Sequence, residues 1–70
     1  MNQSDLFTNT KDKTFLGILK EGEYFSFLDS QEIYEVLKQT EQSTLIQGVE
    51  FTANFTLPKT VKVQRWVMLH

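Results

Sequence analysis

Hydrophobic and polar residues alternate along several short stretches of this chain, and that alternation is typical of half-buried β-strands. The clearest stretch is 23–28, where Phe25 and Phe27 fall on one face of an extended backbone. Residues 14–20, just before it, predict a short helical turn that ends at Gly22. The region therefore predicts one turn of helix leading into a strand that lies near the centre of the core.

Residues 30–41 fit two interpretations. As a strand, Tyr34 and Val36 face one way while Ile33 and Leu37 face the other. As a helix, Ile33 and Leu37 share one core-facing stripe. Because isoleucine, tyrosine and valine favour strands, we predict a strand. An α+β fold with a helix at 30–41 is the alternative.

The C-terminal part of the chain predicts three more strands, at 43–47, 55–57 and 61–69. In the last and longest of them, strict alternation from Val63 would place Arg65 in the core. Burying an unpaired guanidinium is costly. We therefore predict a bulge near Gln64 that turns Trp66 and Met68 inward, in preference to an Arg65 at the open end of the core.

Short strands at close spacing predict a mostly β fold, either a small barrel or a strongly bent antiparallel sheet. The domain is expected to span 14–70. Residues 1–13 are polar apart from Leu6 and Phe7, so we predict a flexible N-terminal tail there. The alternative is that Leu6 and Phe7 anchor this segment to the body of the protein or to a partner.

A set of core and turn positions recurs in a known group of proteins. These positions are Phe15, Leu19, Gly22, Phe25 and Phe27, then Ile33-Tyr34-x-Val36, then Phe55-x-Leu57-Pro58-x-x-Val61-x-Val63. Over roughly residues 15–63 the chain is similar to small uncharacterised proteins of bacteria and their phages. Many of those relatives have Gly-Asp where this chain has Gly22-Glu23. The resemblance implies an SH3-like barrel and no activity, because a fold does not determine a function.

Composition limits the chain to one small domain. Its 70 residues include 6 Phe, 2 Tyr and 1 Trp but no cysteine, so packing or self-association must stabilise the fold without disulfides. The small core predicts a tendency to form a homodimer. The absence of cysteine fits a cytoplasmic protein, and the sequence has no run of about 18 apolar residues that could cross a membrane.

The net charge of −2 conceals an uneven distribution of charge along the chain. Residues 21–50 contain seven acidic side chains and a single lysine, whereas 54–70 contain three basic side chains and no acid. The acidic middle of the chain suits a basic partner. Overall acidity argues against strong nonspecific binding to nucleic acid.

Few residues are candidates for catalytic chemistry. The single histidine is the last residue, His70, and the serines have no internal histidine to activate them. The three glycines form no phosphate-binding loop, and no spacing of oxygen ligands suggests a metal site. We therefore predict that the chain is not an enzyme and has no cofactor.

The last predicted strand carries the best candidates for a binding site. Lys62, Arg65 and Trp66 lie along it, Lys59 lies just before it, and Tyr34 is a further aromatic candidate. A basic strip beside an exposed ring is typical of proteins that bind single-stranded nucleic acid. The alternative is that these residues serve the fold and bind no ligand: Trp66 fills the core, and the lysines keep the strand soluble and unpaired. We predict a non-catalytic module that binds another protein, through the acidic middle or an open sheet edge, with single-stranded nucleic-acid binding as the alternative.

Overall fold

A computed structural model of the chain describes residues 6–50 and 53–69. It contains six strands and one 3-10 turn, in the order β1 Phe7–Phe15, 3-10 turn Leu16–Ile18, β2 Tyr24–Phe27, β3 Tyr34–Gln39, β4 Ser43–Gly48, β5 Asn54–Pro58 and β6 Lys62–Met68. The prediction of a mostly β fold with a short helical turn near 14–20 is confirmed. The strand interpretation of 30–41 is confirmed as well, and the alternative helix there is wrong.

The six strands form one antiparallel sheet with the order β1-β6-β2-β3-β4-β5. The sheet is strongly curled into a half-barrel, as its short strands and tight turns predict. Strands β1 and β5 are its two edges. Of the two predicted alternatives, the strongly bent sheet is therefore the one observed, because within residues 6–50 and 53–69 no pairing between β1 and β5 closes a barrel.

The prediction of a tail is wrong for residues 7–13, which belong to β1. This strand pairs with β6 from Phe7 opposite Met68 to Phe15 opposite Lys62. With nine residues it is also longer than β6, which we expected to be the longest strand. Phe7 is buried, as the anchoring alternative requires, whereas the side chain of Leu6 is exposed. Residues 1–5 lie outside the described residues.

Strand β6 alternates regularly, which corrects the predicted bulge near Gln64. Its four pairs with β2 follow one another without a shift. Val63 and Arg65 therefore share one face of the sheet, and Trp66 lies on the other. Trp66 is buried, but Met68, which was also expected inside, is exposed.

Val63 and Trp66 can both be buried, although they lie on opposite faces of β6, because both faces of the sheet carry buried apolar residues. The main cluster consists of Leu16, Leu19, Phe25, Tyr34, Val36, Ile46 and Val63. The second cluster, on the opposite face, consists of Phe7, Ile33 and Trp66, with Tyr24 packed against it. A strand in such a sheet can place apolar residues on either face, so Val63 and Trp66 are both buried without a change of register.

The 3-10 turn is fixed over the main cluster by one glutamine. The amide nitrogen of Gln39 donates to the carbonyl oxygens of Leu16 at 2.9 Å and Leu19 at 2.8 Å. The amide oxygen of Gln39 accepts a hydrogen bond of 2.6 Å from the hydroxyl of Thr44. The turn is thus held against β3 and β4, and Leu16 is fully buried beneath it.

Candidate protein-binding surface

The basic strip expected along β6 is not assembled as one surface. Trp66 is only 7% exposed, and its indole nitrogen donates to the hydroxyl of Ser26 at 2.8 Å. Arg65 points to the opposite face, where its Nε lies 3.1 Å from the Glu23 carboxylate. The ring and the guanidinium therefore cannot contact one ligand on the same face of β6.

Tyr34 also belongs to the interior. Its ring stacks on Phe25 with centroids 5.6 Å apart and meets Phe55 edge-on at 6.0 Å. Burial, together with the nearby Glu32 carboxylate, raises the pKa of Tyr34 above its ordinary value of 10.0. A phenol in this setting stabilises the main cluster and presents little surface to a partner.

Lys59 and Lys62 are brought together with apolar residues that lie on the surface. Lys62 is exposed and stands opposite Phe15 across the β1–β6 pair. Lys59 lines a shallow depression together with Phe15 and Ile18. Phe15 is 50% exposed and Ile18 is 70% exposed. We call these four residues, Phe15, Ile18, Lys59 and Lys62, the anchor patch.

The anchor patch exists because the 3-10 turn passes close to the β5–β6 turn. The backbone N–H of Gly17 donates to the Lys59 carbonyl at 3.0 Å, and that of Leu16 donates to the Val61 carbonyl at 2.8 Å. A Cβ on Gly17 would lie 2.6 Å from the Lys59 Cβ, so only glycine permits this approach. With Leu16 directed into the core, the short turn leaves Ile18 on the outside.

Sequence reasoning missed Phe15 and Ile18 as surface residues. Apolar residues around a predicted helical turn are normally assigned to the core, and that assignment holds for Leu16 and Leu19. The one available signal was Gly17, because a glycine weakens a helical turn and leaves room for a close approach that a Cβ would block. The pattern does not identify which segment approaches.

A second depression, lined by both acidic and basic residues, lies on the face that carries Arg65. Its lining includes Asp12, Lys20, Glu23 and Arg65. Both carboxylate oxygens of Glu23 are engaged, one by the backbone N–H of Lys20 at 2.7 Å and the other by Arg65. These hydrogen bonds hold the loop before β2 in place.

Two further findings concern the described part of the chain. Among residues 6–50 and 53–69, no three acidic, histidine or cysteine side chains are grouped closely enough to hold a metal ion. His70, the single histidine of the sequence, lies outside these ranges. No helix within them has the length and apolar character needed to cross a membrane.

Comparison with known proteins supplies no relative for the chain. No family model, no curated protein and no solved structure matches it.

Proposed function

We propose that this chain is a non-catalytic module that binds another protein through the anchor patch. The observation that carries the proposal is the exposure of Ile18 and Phe15 beside Lys59 and Lys62. Ile18 is the most exposed of the large hydrophobic residues in the described part of the chain. A partner that removes this side chain from water gains binding free energy, since burying apolar surface contributes roughly 25 cal/mol per Å².

The residues of the anchor patch define the chemistry of the partner. Phe15 and Ile18 suit a leucine, isoleucine or phenylalanine side chain that fills the depression as an anchor. Lys59 and Lys62 suit aspartate or glutamate on either side of that anchor, because opposite charges at the rim raise the association rate and select the partner. The partner is therefore an acidic segment with an apolar residue at its centre.

The same proposal includes a non-catalytic role, a relation to SH3-like barrels and a cytoplasmic location. A non-catalytic role is supported by the engagement of both Glu23 oxygens and by a sequence without a nucleophile–histidine pair. A relation to SH3-like barrels is supported by the curled antiparallel sheet and by the core positions Leu19 and Phe25. A cytoplasmic location is supported by the absence of cysteine.

The test uses synthetic peptides with a central leucine and phenylalanine flanked on both sides by aspartate and glutamate. We expect backbone chemical shifts to change around the anchor patch when this peptide is added, and no change with a peptide in which lysines replace the acids. Ile18→Asp is expected to abolish binding without affecting the fold, because the side chain is mostly in water. Leu69→Asp, at an apolar position that is 53% exposed and lies after β6, is the matched control and should bind normally.

The proposal fails if Ile18→Asp binds the acidic peptide as well as the unmodified chain does, or if the lysine peptide binds equally. Either result would show that the anchor patch does not recognise an acidic apolar segment.

Single-stranded nucleic acid is a second candidate ligand, and one observation favours it. The exposed ring of Phe15 lies beside Lys62, so base stacking and phosphate contact are available at one place. Titration with a labelled oligonucleotide at low and high salt tests it. Binding that is lost in Phe15→Ala and weakens steeply with salt would support this candidate, and no binding at low salt would exclude it.

A further inference from the structure

The two edges of the sheet differ in how well they are protected against pairing with another strand. Edge strand β1 contains an irregularity between Asn9 and Lys13, where Lys11 has a φ of 65°. It also carries charge at Lys11, Asp12 and Lys13. Bulges and charges are the usual means by which natural sheets block edge pairing. Strand β1 is therefore a protected edge.

Strand β5 has none of these features. Residues 53–58 carry no charge, and the register of β5 against β4 shows no irregularity. Within residues 6–50 and 53–69, no strand pairs with its outer side. Phe55, the second residue of the strand, is 37% exposed. Strand β5 is thus an open edge that can accept another strand.

The hydrogen bonds of the sheet determine which backbone groups of β5 point outward. Val36 receives a bond from Gly22 and donates one to Glu23, so its N–H and C=O both point toward β2. Its partner across β3–β4 is Ile46, which must point its own groups the other way, toward β5. Phe55, which is opposite Ile46, therefore bonds back to β4.

Alternation then directs the N–H and C=O groups of Asn54 and Thr56 away from the sheet. Pro58 points the same way but has no N–H, and its carbonyl accepts a long bond of 3.4 Å from Val61. The useful part of the edge is therefore confined to Asn54 and Thr56, which together offer two donors and two acceptors.

We propose that two copies of this chain form a symmetric dimer in which their β5 strands pair antiparallel around a two-fold axis at Phe55. In this register Asn54 of each copy is opposite Thr56 of the partner subunit, and each such pair exchanges both N–H···O bonds. All the outward groups of Asn54 and Thr56 are then used. Pro58 stays outside the ladder, which explains why this register is preferred to one centred on Thr56.

The side chains of β5 also favour the register centred on Phe55. Phe55 meets its symmetry copy at a pair without backbone hydrogen bonds between its members, where opposite Cα atoms are about 4.5 Å apart and side chains are closest. Aromatic pairs at such positions stabilise sheets. Phe55 is already held edge-on by Tyr34, so it loses little freedom on pairing. Because 53–58 is uncharged, the two copies meet without like-charge repulsion. The interface is short, so we expect the dimer to depend on protein concentration.

Sedimentation of the whole chain tests the proposal. We expect the 8.2 kDa monomer to give way to a species of twice that mass as concentration rises. Asn54→Pro should abolish the larger species, because it removes an outward N–H that only the dimer uses, and proline is tolerated at the first residue of an edge strand. Asn54→Ala keeps the N–H and is the matched control, so it should dimerise like the unmodified chain.

Amide hydrogen exchange on the unmodified chain gives a second measurement that needs no variant. The amides of Asn54 and Thr56 should exchange more slowly at high concentration. The Phe7 amide should not change, because it points outward on the opposite edge, next to Leu6, which bonds back to Leu69 of the sheet. The proposal is overturned by a monomer at every soluble concentration, by an Asn54→Pro chain that still dimerises, or by a dimer that Ile18→Asp abolishes instead. An extended peptide of another sequence that binds β5 of a strictly monomeric chain would also overturn it.

Discussion

The indole N–H of Trp66 donates a 2.8 Å hydrogen bond to the hydroxyl of Ser26, and both residues are buried. The Ser26 hydroxyl donates in turn to the carbonyl oxygen of Phe27 at 3.1 Å. Tryptophan has one polar atom, and burying it without a partner would weaken the fold. Ser26 therefore allows Trp66 to fill the second cluster, which leaves the ring unavailable for stacking on a ligand.

Replacing Ser26 by alanine should lower the free energy of unfolding by about 1–3 kcal/mol, since the buried indole N–H loses its acceptor. Chemical denaturation measures the change. In a Trp66→Phe background the same replacement should have a much smaller effect, because no donor remains to be satisfied. Equal losses in the two backgrounds would contradict the role that we give to this hydrogen bond.

Phe7 is buried and its neighbour Leu6 is exposed, so substitutions at these two positions test whether β1 belongs to the fold. Phe7 is 4% exposed, and its ring lies 4.8 Å from that of Tyr24. Phe7→Ala should lower the free energy of unfolding by about 3 kcal/mol, as expected when a buried aromatic side chain is removed. Leu6→Ala is the control and should have little effect, because that side chain is exposed. A stability unchanged by Phe7→Ala would restore the interpretation of 1–13 as a tail.

Much of the sheet follows from local sequence, because alternation is a local property. The pattern at 23–28 locates β2, and the β-branched and aromatic residues around Tyr34 correctly favour strand over helix. The turn near 14–20 also follows from its own residues. These elements could be predicted because each has apolar residues on one face or a recognisable turn at its end.

The missed features depend on pairing between distant parts of the chain. Residues 7–13 contain one apolar side chain, Phe7, so their strand structure arises from hydrogen bonding to β6 about 55 residues later. The sequence could not decide whether Trp66 is buried or exposed, because alternation of apolar and polar residues does not show that both faces of a sheet are buried. The anchor patch required knowing that Gly17 contacts Lys59, which no local signal reveals.

The contact between Gly17 and Lys59 leads to a third prediction. Gly17→Ala should lower the free energy of unfolding by about 1–3 kcal/mol, because its Cβ would lie 2.6 Å from the Lys59 Cβ and the two segments must move apart. Thermal or chemical denaturation measures the loss. The loss should be nearly the same in a Lys59→Ala chain, which keeps the Cβ and lacks only the flexible Cγ and Cδ at 3.1 and 3.2 Å. It should be smaller in a Lys59→Gly chain, which lacks the Cβ. The same penalty in both backgrounds would rule out this contact as the cause.

The raised pKa of Tyr34 leads to a dependence of stability on alkaline pH. Burial first and the Glu32 carboxylate second favour the neutral phenol in the folded chain, so its pKa lies above the ordinary value of 10.0 that applies after unfolding. Above the ordinary pKa the unfolded chain releases this proton more readily than the folded chain does. The stabilisation is therefore complete below about pH 10 and is lost as the pH rises toward the folded pKa.

Tyr34→Phe removes the titrating group while keeping the ring that stacks on Phe25. The free energy of unfolding of this variant should consequently fall less steeply above pH 10 than that of the unmodified chain, as measured by denaturation at a series of alkaline pH values. Tyr24→Phe, which removes the phenol that packs against the second cluster, is the control for loss of a hydroxyl. If Tyr34→Phe and the unmodified chain lose stability in parallel, the burial of Tyr34 does not control the alkaline limit of the fold.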